Sequence, residues 1–425
     1  MTATDGCPST GIKHVLHIRT GRNSNMLTDT QLDRYADVLL WGLKIARRKP
    51  ARSTDTVLIR YDLGALKLAE KLYEKILISG RNPVQRMLQT SFMEQKAYEI
   101  SNNRQLTFIP PGDEVLYRHL NGSIVLLAPE SLTHLAHIEP GTIAKSLKAR
   151  KFLRDILDKR EEDGDFSWTL GIYPTAVLAE HAGMTLADYS KQVSKACFLN
   201  NSHPLEQWET VYRKAASIKK RLNRLGINTL HVESDNVDMV LKQGEKRRWI
   251  GISGHNIPSF ELFISPDWRG TNGVYHADQP SYRSGNRIEN IRVEFRKGKV
   301  VEASAETGND FLVKQLKMDA GAGRIGEFSL TDRTFSNIDR FMANTLYDEN
   351  FGGTYGNCHI ALGSSYSDTY DGNPGDLTRD MKKKLGFNDS ALHWDIVNTE
   401  KKRVTAQLSG GGKTLIYEDG EFACI

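Results

Sequence analysis

The chain has 425 residues, with 57 Lys and Arg against 52 Asp and Glu, a formal charge of +5. That length exceeds one ordinary domain of about 100–200 residues, so it implies two domains or one large α/β unit and excludes a mini-protein held by a metal or disulfides. With 39% hydrophobic and 26% charged residues, the composition fits neither a disordered chain nor a membrane protein, and the small positive excess requires no nucleic-acid partner.

From the amino end, Thr30 to Arg47 places Leu32, Tyr35, Leu39, Leu43 and Ile45 near a helical period, with Thr28 and Asp29 available as caps, and predicts an amphipathic helix. Asp55 to Asp62 (DTVLIRYD) reads as a strand and Ala65 to Ser79 as a second helix; that order predicts α/β layering on a parallel sheet. Gln105 to Ile109, Ser123 to Leu127 and Thr169 to Thr175 read as further strands, the last ended by Pro174. A long charged helix, Pro204 to Leu225, is stopped by Gly226 and Asn228. The domain transition is placed there, giving an N-terminal α/β domain over 1–203 and a strand-rich C-terminal domain over 204–425. The C-terminal strands are expected at Thr229 to Glu233, Val237 to Leu241, Arg248 to Ile252, Ile291 to Arg296 and Lys299 to Glu306. At the tail, RVTAQL and KTLIYED flank Gly410, Gly411 and Gly412 as a hairpin, and Asp419-Gly420 marks another turn.

Several signals have ordinary readings. Cys7, Cys197, Cys358 and Cys424 form no close pairs, which suits a reducing, cytoplasmic setting. Met1 to Lys13 lacks the apolar core of a secretory signal. Gly412-Lys413-Thr414 lacks the remaining glycine and the following helix of a phosphate loop, so it reads as a turn. Lys382 to Lys384 and Lys246 to Arg248 read as solvated basic faces, and His134 with His137 as an ordinary surface helix.

The chemistry concentrates where acids and histidines interrupt strand-like apolar text. Glu261 sits in NIPSFELFISPD between Phe260 and Leu262, and Glu327 in GRIGEFSL between Gly326 and Phe328. A carboxylate buried in such a run is costly without a counter-charge. In ALHWDIV, His393 and Asp395 are two apart, so a strand projects both from one face while Leu392, Trp394 and Ile396 pack the other. Asp348 and Glu349 end the helical pattern NTLYDEN, and a strand starts at His359. Taken together, three glutamates, an aspartate and two histidines in apolar context form a plausible ligand set for two divalent cations. Cys358 alternates away from His359 and reads as a buried thiol.

These segments, with the text around Asn272 to Val274 and GKVVEASAETG (Gly298 to Gly308), resemble the thermophilic aminopeptidase family, the M29 metallopeptidases. The resemblance implies an α/β N-terminal domain, a C-terminal metal-binding domain, and homodimers acting on short peptides with a free amino terminus. It implies Glu261, Glu327, Glu349, His359, His393 and Asp395 as ligands of two divalent ions (Zn, Co, Mn or Mg), with Glu327 also as proton shuttle and Tyr366 as the catalytic tyrosine. It implies no nucleic-acid or membrane partner. The connection from Glu349 to His359 is longer than the family's usual one. Two other readings use the same scaffold: a mononuclear iron ring-cleaving dioxygenase, which needs fewer carboxylates, and a catalytically inactive peptide-binding relative.

Overall fold

The computed structural model describes residues 26–284 and 286–423. The expectation about Met1 to Lys13, and Cys7 and Cys424, lie outside the described residues.

Helix α1 (Asp29–Ala46) starts on a capping box: the Thr28 hydroxyl accepts from the Gln31 amide while the Gln31 side chain accepts from the Thr28 amide. Its face of Leu32, Tyr35, Ala36, Leu39 and Leu43 is buried. Strands β1 (Thr56–Tyr61), β2 (Asn82–Met87), β3 (Gly122–Leu127) and β4 (Ser167–Ile172) pair in parallel in the order β2-β1-β3-β4, with helix α2 (Leu66–Ile78) crossing from β1 to β2. The expected parallel α/β layer is present. β2 carries Pro83 and lies at the edge, where a missing amide costs no ladder bond.

After the helix Pro204–Leu222 the chain becomes strand-rich: β5 (Ile227–Glu233), β6 (Asp238–Lys242), β7 (Asn256–Ile257), β8 (Glu261–Ile264), β9 (Asp267–Ala277), β10 (Ser281–Arg283), β11 (Asn286–Ile288), β12 (Ile291–Arg296), β13 (Lys299–Ser304), β14 (Ile325–Thr331), β15 (Asn357–Gly363), β16 (His393–Asn398), β17 (Arg403–Leu408), β18 (Lys413–Glu418) and β19 (Glu421–Phe422). An eight-stranded antiparallel sheet runs β13-β12-β9-β6-β5-β17-β18-β19, and a four-stranded antiparallel sheet runs β16-β15-β14-β8. Two buried tyrosines tie these sheets together: the Tyr275 hydroxyl donates to the Ile396 carbonyl at 2.9 Å, and the Tyr417 hydroxyl to the Thr331 carbonyl at 2.7 Å. Short β7 extends the parallel sheet beside β4, and β8 follows it within four residues, so the two layers meet just before Glu261.

Four local expectations are corrected. Gln105 to Ile109 holds no strand; Asn103–Leu106 is a helical turn closed by a capping box between Asn102 and Gln105. Arg248 to Ile252 forms only an isolated bridge at Ile250, because Gly251 (φ 131°) and Ile252 (φ 48°) leave the extended region. Arg247 is not a solvated charge: it is 6% exposed, its Nε donates to the Ser265 carbonyl at 2.6 Å, and its guanidinium lies 3.3 Å from the Phe387 ring centre. His134 and His137 are not on a helix; they lie in the turns before Pro140–Glu162 and bond Glu94 and Glu99 at 2.8 Å each.

The wall behind the site is aromatic. Trp208 stacks on Phe260 at 5.1 Å and meets Trp41 at 5.6 Å, and it is 1% exposed. Trp208→Ala is expected to cost about 3–5 kcal/mol, read as a lower denaturation midpoint with an unchanged m-value.

Candidate metal centre

The four-stranded sheet brings the flagged residues onto one face. In its register Thr331 faces Glu261; Ser329 faces Phe263 and His359; Glu327 and Asp395 both face Ala361; and His393 faces Gly363. Period-two alternation therefore collects Glu261, Glu327, His359, His393 and Asp395 on one side, while Leu262, Phe328, Leu330, Ile360, Leu362, Trp394 and Ile396 fill the core on the other. Ser329, Ala361 and Gly363 are small and leave the room the long acids occupy. A bulge between Ile325 and Glu327 re-aims the Glu327 side chain. Gly326 permits it, since a Cβ there would fall 2.2 Å from the Ser364 carbonyl oxygen. Ala361→Leu is expected to fill the gap between Glu327 and Asp395 and to lower bound metal on a protein that still folds, as metal analysis and circular dichroism would record.

His359 is 1% exposed, and its Nε2 lies 3.2 Å from Glu327 Oε1 and 3.3 Å from Glu261 Oε2. One ligand atom from each of Glu261, Glu327 and His359 falls within 4.8 Å of the others. His393 Nε2 lies 3.4 Å from Asp395 Oδ1 and 3.8 Å from Glu327 Oε2, so Glu327 stands between the two imidazoles. The His393 Nδ1–H donates to the Ser364 carbonyl at 2.9 Å, which leaves Nε2 as the ligating nitrogen. The Ser329 hydroxyl donates to Glu261 Oε2 at 3.1 Å.

Glu349 arrives from a different element. It follows the short helix Thr345–Asp348, is buried, and its charge acts on Glu261, Asp395 and Glu327. The long connection to His359 is pinned rather than slack: the Phe260 amide donates to Asn350 Oδ1 at 2.5 Å, and Asn357 Nδ2 donates to the Glu349 carbonyl at 3.1 Å. The neighbouring Asp348 has another task, accepting from the Met342 and Asn344 amides at 2.7 and 2.8 Å. Tyr366, in the loop after β15, places its ring 4.6 Å from that of His393.

Four carboxylates gather against two imidazoles. Burial, with the charges of Glu327 and Asp395, pushes Glu261 up to about 8, and burial with its acidic neighbours drives Glu349 well above the carboxylate range. For His359 and His393, burial works toward lower values, but the surrounding carboxylates overcome it and raise each to about 9. Burial raises Asp395 too, yet His393 outweighs it and holds it below its usual range. The enclosing cleft and four carboxylates push Tyr366 far up, so it stays a phenol and a donor. A charge set of this kind fits cations: the donors are oxygen and imidazole nitrogen, and Glu327 Oε2 is buried with no hydrogen-bond partner. The thiol of Cys358, on the opposite face of β15, is pushed up to about 11 by burial and is inert, as expected.

Sequence reasoning passed over Ser329, Ser364 and Arg283, which support these residues. Ser329 had a signal, two positions from Glu327 in the same strand. Arg283 donates to the His393 carbonyl at 2.9 Å and feels the charge of Asp395; it sits in a short outlying hairpin with no pattern that points to the site.

The family model described as thermophilic metalloprotease (M29) matches residues 28–422. Among curated proteins the chain is 28% identical over 245 residues to Aminopeptidase AmpS of Bacillus subtilis (strain 168), covering 55% of this chain and 58% of that one. It is 27% identical over 267 residues to Aminopeptidase T of Thermus thermophilus, covering 60% and 62%. The matches thus span about three fifths of the length of these relatives. Among solved structures, wild-type AmpT from Thermus thermophilus superposes with a TM-score of 0.74 at 20% identity over 92% of this chain and 99% of that one, a likeness of fold.

Proposed function

The chain belongs to the thermophilic metalloprotease (M29) family, and on that premise we propose that it is a two-metal aminopeptidase that removes the amino-terminal residue of short peptides. The observation that carries the reading is the buried group of Glu261, Glu327 and His359 on the same sheet face as His393 and Asp395. With Glu349 they would hold two divalent ions of the Zn, Co, Mn or Mg kind. When bound, the ions lower the pKa of a water to near neutrality and polarise the scissile carbonyl.

The protein's own groups do the rest. Ser329 and the Ser364 carbonyl orient Glu261 and His393. Glu327 takes the proton of the attacking water and returns it to the leaving amine, a role that its free Oε2 suits. The Tyr366 hydroxyl donates to the oxyanion of the tetrahedral intermediate. Tyr366→Phe removes that donor and is expected to lower kcat by about 10²–10³ with little change in KM.

On this reading residues 1–203 are a scaffold domain and 204–425 the catalytic one, working as a cytoplasmic homodimer. Among the described residues no helix is long and apolar enough to cross a membrane. Both relatives named above are aminopeptidases by name, which supports the substrate class. Four carboxylates argue against the single iron of a ring-cleaving dioxygenase. The direct test is release of leucine from a leucyl anilide, then of amino-terminal residues from a peptide panel, by Co²⁺- or Zn²⁺-loaded protein. Hydrolysis from the amino end alone is the expected result; no release from any member of the panel would overturn the reading.

A further inference from the structure

A second concentration of charge lies at the amino-terminal edge of the parallel sheet and shares no residue with the metal centre. There the end of α1, the loop after it and the first residues of β1 and β4 enclose a cleft of about 840 Å³. Its walls carry six cations, Lys44, Arg47, Arg48, Lys49, Arg52 and Arg81, and two carboxylates, Asp37 and Glu209.

Most of that charge is uncompensated. Asp37 is already held by Lys75 at 2.9 Å, and Lys49 is neutralised by Asp165 at 2.9 Å. Arg47 and Arg81 crowd one buried carboxylate, Asp55: Arg47 pairs with it at 2.5 Å, while Arg81, held below the guanidinium range by burial, feels both the attraction of Asp55 and the repulsion of Arg47. Among the described residues, Lys44 and Arg52 make no ion pair or side-chain hydrogen bond. The Arg47 side chain is 7% exposed, and its Nε is buried with no partner. A buried guanidinium N–H without an acceptor is costly, and a ligand oxygen in the cleft removes the cost.

The remaining wall, formed by Leu40, Trp41 and Leu205, is apolar and aromatic. We propose that this cleft binds a phosphate-bearing small molecule of nucleotide size, its anionic groups on Arg47, Arg52 and Arg81 and its organic part against Trp41 and the two leucines. Guanidinium forks match phosphate oxygens in pairs. The volume lies within the range of about 300–1,000 Å³ typical of small-molecule sites, more than a bare oxyanion fills. A long nucleic acid fits less well, because the whole chain carries only +5 and Asp37 and Glu209 stand on the walls.

The test is titration calorimetry on the full metal-loaded chain, with adenosine monophosphate and inorganic phosphate as probes. Expected are saturable binding of the nucleotide near one per chain, weaker binding of phosphate, and affinity that falls with salt. The double variant Arg52→Glu, Arg81→Gln should weaken the nucleotide about tenfold or more, with the melting temperature and peptide hydrolysis unchanged. If the Arg81 change unfolds the chain, Arg52→Glu alone, in the exposed loop before β1, carries the comparison. No heat at millimolar nucleotide, equal binding by the variant, or tight binding of an oligonucleotide with the mononucleotide silent would each overturn the proposal.

Discussion

Glu327→Gln is expected to cut leucyl anilide turnover by about 10²–10⁴-fold, the range for loss of a positioned proton-transfer group. The two side chains have the same shape, so the change tests chemistry rather than packing. Glu327 is 3% exposed, touches His359 through Oε1 and stands 3.8 Å from His393 through Oε2. An amide there cannot carry a proton from water to amine, and as a neutral donor set it also binds a cation less well. The metal-free variant should melt no lower than the metal-free parent, since one of four crowded carboxylates has lost its charge. A lower melting temperature would point instead to a packing role, and turnover equal to the parent would remove Glu327 from the mechanism.

Chelation should have the second large effect, and its sign with pH is fixed by the raised groups. Without metal the folded chain holds protons that the unfolded chain releases: Glu261 near 8 against 4.5, and His359 and His393 near 9 against 6.5. The folded state therefore binds more protons than the unfolded one between about pH 4.5 and 9. The stability these groups contribute is fully present at the acid end and is lost as pH rises through 8 and 9. Metal-free protein should thus melt progressively lower from pH 6 to 9. Divalent ions replace those protons, so affinity rises with pH. An ion at a thousandfold excess over its Kd adds about 4 kcal/mol, and the gap between loaded and chelated melting curves should widen toward pH 9. Differential scanning calorimetry of both forms at three pH values checks it; a gap that narrows with pH contradicts the charge assignment.

Much of the metal centre was legible because burying a carboxylate is expensive. Glu261 and Glu327 drew attention by standing in apolar text, and the two-residue spacing of His393 and Asp395 gave their shared face. What period two cannot supply is the pairing register that sets Glu327 and Asp395 across from Ala361. Glu349 was harder, since its place depends on a loop pinned by Asn350 and Asn357 rather than on any period. Tyr366 carries no pattern at all and was reached only by family resemblance. The misread strands at Gln105 to Ile109 and Arg248 to Ile252 share a cause: local polar capping and left-handed backbone outvoted a short apolar run. Arg247 misled because a cation in a basic triplet reads as solvated, whereas this one is buried against Phe387 and three carbonyls. The basic cleft was invisible for a related reason. Its cations come from α1, the loop after it and the segment before β2, too far apart in the chain to register as a cluster.

Metal stoichiometry on protein purified without chelators tests the central claim most directly. The two-ion site predicts about two divalent ions per chain, falling with Glu327→Gln and restored activity on re-addition after chelation. One iron per chain with oxygen uptake on an aromatic diol, or no bound metal in a protein that still binds peptides, would contradict it.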